Sequence, residues 1–206
     1  MALANATFRV AIIFMKIGIL AIQGSVIEHR RALEKLNVDV AEVRLPEDLK
    51  GIDGIILPGG ESTTISKLMS RFGLFDELKK RISKGLPAWG TCAGAILLAK
   101  KVTGKNPPPT LEVMDVEVSR NAYGSQIDSF VEKLRVKSEE LKVKDIEGVF
   151  IRAPKISPLK NSDVEVLAEC NNETVMLRQK NMLVTSFHPE LTEDTSVHKY
   201  FVDMCK

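Results

Sequence analysis

Cysteine is scarce in this sequence: three residues, Cys92, Cys170 and Cys205, occur in 206 positions. They lie far apart in no metal-ligand spacing, and their odd number argues against a disulfide framework, so we expect a reducing, cytoplasmic environment. An excess of charge of one sign is also missing, since 29 Lys and Arg residues accompany 27 Asp and Glu residues without a basic block or an acidic tail. This balance gives no indication of nucleic-acid binding.

A membrane-spanning apolar run is missing as well. Residues 1–15 are a mostly apolar run with one charge, Arg9, but the stretch is too short to cross a bilayer. It also lacks the basic start and the A-x-A cleavage pattern of a secretory signal peptide. We therefore interpret residues 1–14 as an N-terminal extension and residues 15–206 as a single domain. The whole chain is 44% hydrophobic and 27% charged, which excludes disordered and collagen-like classes.

The first half of the chain alternates short apolar runs with segments of helical period. Apolar runs bounded by glycine and proline predict buried strands, and apolar residues every three to four positions predict amphipathic helices. The predicted strands are residues 17–22, 38–45, 51–57 and 86–89, and the predicted helices are residues 26–36, 62–82 and 93–101. This alternation predicts an α/β protein with a three-layer, doubly wound, mostly parallel sheet and helices on both faces.

The second half is rich in alternating segments that predict strands. Residues 111–119 and 129–137 are expected as strands around a turn at residues 121–124. Further strands are predicted at residues 148–151, 164–170, 174–178 and 182–186, with a final helix at residues 195–205. The proline-rich residues 106–109 and 154–158 are interpreted as internal loops, which keeps the domain undivided.

A nucleophile elbow is predicted at residues 90–94 (GTCAG), between the fourth strand and the next helix. Small residues on both sides of Cys92 permit a sharp strand-to-helix turn that holds a nucleophile exposed. The start of a helix also favours thiolate over thiol. The alternative is a buried cysteine in an ordinary tight turn.

A base for this thiol is predicted at His188, which follows the strand at residues 182–186. Imidazole is suited to accept and return a proton near neutral pH, and Glu190 could orient the ring from two residues away. In isolation a histidine beside a proline is more often structural. The pairing with a cysteine elbow favours catalysis, because open α/β sheets place ligands at the carboxyl ends of their parallel strands.

An oxyanion hole is predicted from the backbone N-H groups of Gly60 and Ala93, because the glycine pair that follows the third strand lets the backbone approach a ligand. A serine-capped turn is the alternative.

Either Arg120 or Arg152, each at a strand end, is a candidate to bind a substrate carboxylate, although an ion pair is equally consistent with the sequence.

Three further residues are expected to have no direct role. His29 and His198 fall in predicted amphipathic helices and are interpreted as surface residues, whereas Trp89, beside the elbow, is expected in the core. Gln23 ends the first strand, and its position suits either coupling of the oxyanion loop to a partner or a place in the core.

Six motifs together resemble the glutaminase subunits of pyridoxal 5'-phosphate synthase, within the class I (triad) glutamine amidotransferases. They are GILAIQG (18–24), LPGGEST (57–63), TCAGAILLAK (91–100), DSF (128–130), FIRAP (150–154) and SFHPELTE (186–193). The sequence departs from the family at residues 121–125, where NAYGS replaces NSFGR, and at residues 111–112, where Leu-Glu replaces Gly-Leu. Both departures lie outside the triad.

The resemblance implies a flavodoxin-like amidotransferase fold and a role for each motif residue. Cys92 would be the nucleophile, His188 the acid and base, and Glu190 its orienter. The family's glutamine-binding positions correspond to Gly60, Glu61, Ser62, Arg120, Ile151 and Arg152.

The implied activity is hydrolysis of L-glutamine through a cysteine thioester, without a metal or organic cofactor. The ammonia would pass to a (β/α)8-barrel synthase subunit in a large hetero-oligomer that makes pyridoxal 5'-phosphate. Two alternatives stay open: a glutaminase serving another synthase, such as that of histidine biosynthesis, and a redox-sensing or chaperone-like protein that uses Cys92 without turnover. The second leaves His188 and Glu190 unexplained.

Overall fold

The structure is a computed structural model that describes residues 15–120 and 129–206. The extension at residues 1–14 and the turn and departure at residues 121–125 lie outside the described residues. The strands are β1 (Lys16–Leu20), β2 (Asp39–Val43), β3 (Gly54–Leu57), β4 (Ala88–Thr91), β5 (Ala99–Thr103), β6 (Met114–Ser119), β7 (Phe130–Val136), β8 (Asp145–Phe150), β9 (Lys155–Pro158), β10 (Glu165–Cys170), β11 (Glu173–Gln179) and β12 (Met182–Thr185).

A nine-stranded sheet forms the centre of the fold, in the order β2-β1-β3-β4-β12-β11-β10-β7-β8. The first five strands in this order, β2, β1, β3, β4 and β12, are parallel to one another. The last four, β11, β10, β7 and β8, continue the sheet from β12 in antiparallel pairs. A smaller sheet has the order β5-β6-β9. The carboxyl ends of the parallel strands therefore lie along one edge, which is the edge that positions the site.

The helices are α1 (Val26–Lys35), α2 (Ser62–Arg71), α3 (Leu74–Ser83), α4 (Ala93–Leu98) and α5 (Ser196–Met204). Alternate residues of β3 face opposite sides of the sheet, as the pleat requires: Ile55 packs in a core with α2, α3 and α4, and Ile56 in a core with α1 and α5. The predicted three-layer α/β fold is confirmed. None of the helices in the two described ranges is long and apolar enough to span a membrane.

Two of the predicted helices are wrong in extent. The helix predicted at residues 62–82 is two helices, because Gly73 adopts a left-handed conformation (φ 70°) that ends the first and begins the second. The helix predicted at residues 93–101 ends at Leu98, and the chain continues as β5, which pairs with β6. Strand pairing therefore overrides the local helical pattern here.

The second half also differs from the predicted hairpin. The strands near residues 111–119 and 129–137 exist, but β6 pairs with β5 and β9 in the small sheet, whereas β7 pairs with β8 and β10 in the large one. Residues 155–158, interpreted as part of a loop, form β9. Because β9 is the edge of the small sheet, its proline costs little in ladder hydrogen bonds.

Candidate active site

Cys92 occupies a strained turn between β4 and α4. Its backbone has φ 48° and ψ −98°, outside the regions that non-glycine residues prefer. The flanking glycines are required by close packing: a Cβ on Gly90 would lie 2.4 Å from the carbonyl carbon of Gly94, and a Cβ on Gly94 would lie 1.9 Å from the carbonyl oxygen of Leu57. The turn therefore has the geometry of a nucleophile elbow.

His188 lies beside Cys92, directly after β12. Its Nδ1 atom is 2.7 Å from Oε1 of Glu190, and the Cys92 side chain is close enough to the ring to raise its pKa. Because Nδ1 is engaged by the carboxylate, Nε2 is the ring nitrogen available to the sulfur. All three residues are largely buried, at 8% exposure for Cys92 and 6% for each of the other two. The alternative of an isolated buried cysteine does not describe this arrangement.

The charges of His188 and Glu190 support one another. Burial alone would lower the pKa of His188, but its interactions with Cys92 and Glu190 raise the pKa to about 10. Burial opposes ionisation of Glu190 in turn, yet its electrostatic interaction with His29 and its hydrogen bond with His188 lower the pKa to about 2. The carboxylate is therefore ionised, and it favours an imidazolium next to the sulfur at neutral pH.

A cavity of about 630 Å³ opens next to the sulfur. The cavity is lined by every residue that the sequence analysis assigned to substrate binding or to the oxyanion hole. The structure thus brings all of them together around Cys92 and His188. Those residues are Gly60, Glu61, Ser62, Ala93, Arg120, Ile151 and Arg152. Among the residues that the structure describes, no cluster of His, Cys, Asp and Glu could hold a metal ion.

The loop after β3 is held by hydrogen bonds from two sides. The Glu61 N-H donates to Oε1 of Gln23 at 2.9 Å, and the Glu61 carboxylate caps α2 by accepting from the N-H groups of Thr63 and Thr64 at 3.0 and 2.6 Å. Burial raises the pKa of Glu61, but these hydrogen bonds lower it to about 2. Gln23 thus touches the loop rather than the core, while coupling to a partner stays a prediction.

The two candidate arginines differ in how firmly they are held. Arg120 donates to the carbonyl oxygen of Asn106 at 2.9 Å, and its Nη2 atom lies 3.9 Å from Oε1 of Glu61. Arg152 is exposed and has a left-handed backbone (φ 47°), which turns the chain at the rim of the cavity. Both guanidinium groups line the cavity, so either can meet an anionic group of a ligand.

The interpretation of His29 and His198 as surface residues is wrong, since both are 0% exposed. They pack against Trp89, which lies in the core as predicted. The signal that sequence reasoning missed is helical spacing: His29 precedes the buried Ala32 and Leu33 by three and four positions, and so shares their face of α1.

Together the fold and the site define a class of protein: α/β proteins in which a cysteine, a histidine and a glutamate meet at the ends of parallel strands, as in the triad glutamine amidotransferases. The chain belongs to the SNO glutamine amidotransferase family, whose model matches residues 19–206.

Similar proteins cover nearly the whole chain. A protein from Thermosipho africanus is 52% identical over 192 residues, which are 93% of this chain and 100% of that protein. A protein from Pyrococcus furiosus is 51% identical over 195 residues, 91% of this chain and 98% of its own length. Both are named pyridoxal 5'-phosphate synthase subunit PdxT.

Solved structures agree with this membership. A crystal structure of a glutamine amidotransferase superposes with a TM-score of 0.85 at 46% identity, covering 92% of this chain and 98% of that one. The structure of PurLQS from Thermotoga maritima has a TM-score of 0.67 at 17% identity, covering 94% of this chain and 100% of that one. The second similarity concerns the fold alone.

Proposed function

We propose that this chain hydrolyses L-glutamine to L-glutamate and ammonia, and delivers the ammonia to a partner synthase subunit that makes pyridoxal 5'-phosphate. The observation that carries the proposal is the placement of Cys92 and His188 together at the wall of a cavity, with Glu190 hydrogen-bonded to the His188 ring. The names of the relatives support the choice of product and partner.

The first half-reaction begins with the Cys92 thiolate, which attacks the side-chain amide carbon of glutamine. The carbonyl π electrons move to oxygen, and the resulting oxyanion is stabilised by the N-H groups of Gly60 and Ala93. The oxyanion then re-forms the carbonyl and breaks the C-N bond, while the His188 imidazolium protonates the departing nitrogen. Ammonia leaves, a γ-glutamyl thioester remains, and His188 is neutral.

The second half-reaction restores the enzyme. Neutral His188 takes a proton from water, the hydroxide adds to the thioester carbon, and the C-S bond breaks to return the thiolate. The γ-carboxyl group loses its remaining proton to water, glutamate leaves, and the thiolate and imidazolium are paired again. Glu190 keeps the ring oriented through both steps, because its Oε1 holds Nδ1 at 2.7 Å.

The polar groups around the cavity account for recognition of an amino acid. Arg120 or Arg152 binds the substrate α-carboxylate, and Glu61, which is ionised, attracts the α-ammonium group. Ser62 and Ile151 also line the cavity. A substrate held by its two α groups can extend its side-chain amide, at the other end of the molecule, toward Cys92.

The partner follows from the chemistry of the product. Ammonia lost to neutral water becomes ammonium, a poor nucleophile, so it must reach an acceptor directly. We propose that the acceptor is a (β/α)8-barrel subunit in a large cytoplasmic hetero-oligomer. Within this chain we propose one amidotransferase domain at residues 15–206, preceded by an extension at residues 1–14. We expect the chain alone to be weakly active, because catalytic loops are often completed on docking.

Glutamate release by the wild type and by Cys92→Ala, each with and without the barrel subunit, tests the proposal. We expect release by the wild type, a higher rate with the barrel subunit, and a loss of at least about 10³-fold in the variant. A protein that oxidises at Cys92 and releases no glutamate under either condition would favour the redox alternative. Stimulation by a different synthase, but not by the barrel, would refute the proposed partner.

A further inference from the structure

One oxygen of the Glu190 carboxylate is unaccounted for by the triad. Oε1 holds His188, whereas Oε2 is buried and has no hydrogen-bond partner among the described residues. His29 approaches this oxygen from α1, with its Nε2 atom 3.7 Å away and both side chains at 0% exposure. A buried carboxylate oxygen without a hydrogen-bond donor is costly, so it matters whether this nitrogen of His29 carries a proton that it can donate.

A second histidine determines which nitrogen of His29 carries the proton. His198, on α5, places its Nε2 atom 3.0 Å from Nδ1 of His29, and one of these two nitrogens must donate to the other. If His29 donated from Nδ1, its bare Nε2 lone pair would face the carboxylate. His198 would then carry a buried N-H at Nδ1, an atom that has no hydrogen-bond partner in the described part of the chain.

The opposite assignment gives a partner to the N-H group of each imidazole. His198 donates from Nε2 to Nδ1 of His29, and the proton of His29 is on Nε2, directed at Glu190 Oε2 and at the Thr91 hydroxyl, 3.3 Å away. The nitrogen left without a partner is then the bare Nδ1 of His198, so neither histidine buries an N-H group without an acceptor. The local geometry therefore favours protonation of both rings at Nε2.

We propose that His29 and His198 are positioning residues for the Cys92, His188 and Glu190 site: His198 fixes the tautomer of His29, whose Nε2-H holds the second oxygen of Glu190. This inference rests on the proposed function, because it assigns a role within that site. The carboxylate is then held from both sides, and its Oε1 keeps the geometry that orients His188.

Burial keeps the pair neutral, as the proposed role requires. Burial lowers the pKa of His29, with Glu190 and Glu28 opposing it and His188 reinforcing it. Burial lowers the pKa of His198 to about 3, with His29 adding to the effect and Glu190 opposing it. Two neutral imidazoles edge-on to the Trp89 ring provide a fixed N-H dipole without a second buried cation.

The tautomers can be observed directly in the full-length wild-type protein. Long-range ¹H-¹⁵N correlation spectra of the imidazoles should show His29 and His198 neutral and protonated at Nε2 between pH 6 and pH 8. A His29 proton on Nδ1, or titration of His29 in this range, would overturn the proposal without any substitution.

Two substitutions test the role in positioning. His29→Leu removes the donor, and His29→Gln keeps an N-H group of similar reach. In complex with the barrel subunit we expect kcat to fall about tenfold in the leucine variant, with KM for glutamine within about twofold of the wild type, and most of kcat to return in the glutamine variant. Equal activity of the leucine variant and the wild type would refute the role.

A pH profile separates positioning from packing. The rate at which iodoacetamide alkylates Cys92 follows the fraction of the sulfur that is present as thiolate. We expect the increase of this rate with pH to occur at higher pH in His29→Leu than in the wild type, but not in His29→Gln. In a Glu190→Gln background, His29→Leu should cause no further shift, because the two residues act through one contact. An additive shift would refute the proposal; if the leucine variant does not fold, the wild-type tautomers decide it.

Failure of this inference is distinguishable from failure of the proposed function. A wild type that releases glutamate, together with a His29→Leu variant whose alkylation profile is unchanged, refutes the positioning pair alone. A wild type that releases no glutamate, with the tautomers as assigned, refutes the function and leaves the geometry standing.

Discussion

The imidazole of His188 lies against the Cα of Gly59, with no space for a methyl group between them. A Cβ on Gly59 would be 2.3 Å from Cε1 and 2.9 Å from Nδ1 of the ring. The Nδ1 atom is the one held by Glu190, so a side chain at Gly59 would displace the ring from its carboxylate. The glycine that follows β3 therefore permits contact between the loop and the histidine.

We expect Gly59→Ala to lower kcat for glutamine hydrolysis by about 10²-fold or more, since a misplacement of about 1 Å costs this much. Overpacking should reduce stability by about 1–3 kcal/mol. Steady-state kinetics and urea unfolding measure the two effects separately. An alanine variant with wild-type kcat would show that the ring does not need its present position.

Gly51→Ala is the matched control. Its Cβ would meet nothing within 4 Å, but Gly51 has φ 72°, which strains an alanine. We expect this variant to lose about 1 kcal/mol of stability and to keep its activity. Loss of activity at Gly51 as well would mean that Gly59→Ala acts through stability.

The sequence predicted the residues of the candidate site better than their surroundings, for a physical reason. Cys92, His188 and Glu190 follow strands that run parallel in adjacent positions, and parallel strands deliver their carboxyl ends to one edge whatever the loops between them do. The spacing of small residues around Cys92 is likewise a local requirement of the turn, so it is visible in five residues.

Pairing between distant strands is not visible in this way. The segment of β5 continues a helical pattern, and its strand conformation depends on β6, fifteen residues away at the Ala99 to Met114 pair. The surface prediction for His29 is wrong for a related reason: the residue is polar in an amphipathic helix, and its burial is favoured by His198 from the other end of the chain. Tertiary partners override local preference at both places.

Selective alkylation is expected at Cys92. Cys92 lines the cavity together with His188, whose pKa is raised in part by the Cys92 side chain. Burial, with Glu132 and Glu173 nearby, raises the pKa of the Cys170 thiol, and burial raises that of Cys205 to about 12. At pH 7.5 we expect iodoacetamide to modify Cys92 at least about tenfold faster than either of the other two, because the thiolate is the reactive form.

Peptide mass spectrometry after timed quenching measures the three rates. Labelling in concentrated urea is the control, and the three cysteines should then react at similar rates. Preferential labelling of Cys205 in the folded protein would contradict the assignment of Cys92 as the activated thiol.

Arg120→Lys tests recognition of the substrate carboxylate. A guanidinium group binds a carboxylate through two parallel N-H groups, which an ammonium group cannot reproduce. We expect KM for glutamine to rise about tenfold, with kcat within about threefold of the wild type. Arg178→Lys is the matched control, because Arg178 donates to the Tyr200 hydroxyl at 2.7 Å, away from the cavity. An unchanged KM in Arg120→Lys would assign the carboxylate to Arg152.

Acid should destabilise the protein through its buried histidines. The pKa of His29 is lowered by burial and that of His198 is lowered to about 3, whereas both take up protons near pH 6.5 when the chain unfolds. The unfolded state therefore binds more protons below pH 6.5, so the free energy of unfolding falls as the pH falls from there. For His198 this slope approaches about 1.4 kcal/mol per pH unit between the two pKa values, and His29 contributes in the same direction.

The difference between the wild type and His198→Gln isolates the contribution of His198, because the other groups titrate alike in both proteins. Those groups include His188, whose unfolded form still takes up protons near pH 6.5, and Glu61 and Glu190, whose pKa values are lowered to about 2 and whose unfolded forms take up protons as the pH approaches 4.5. His198→Gln removes one titrating group and keeps a donor to His29. We therefore expect the slope from urea unfolding between about pH 6 and about pH 5 to be lower in this variant by up to about 1.4 kcal/mol per pH unit. An unchanged slope would mean that His198 is protonated in the folded protein.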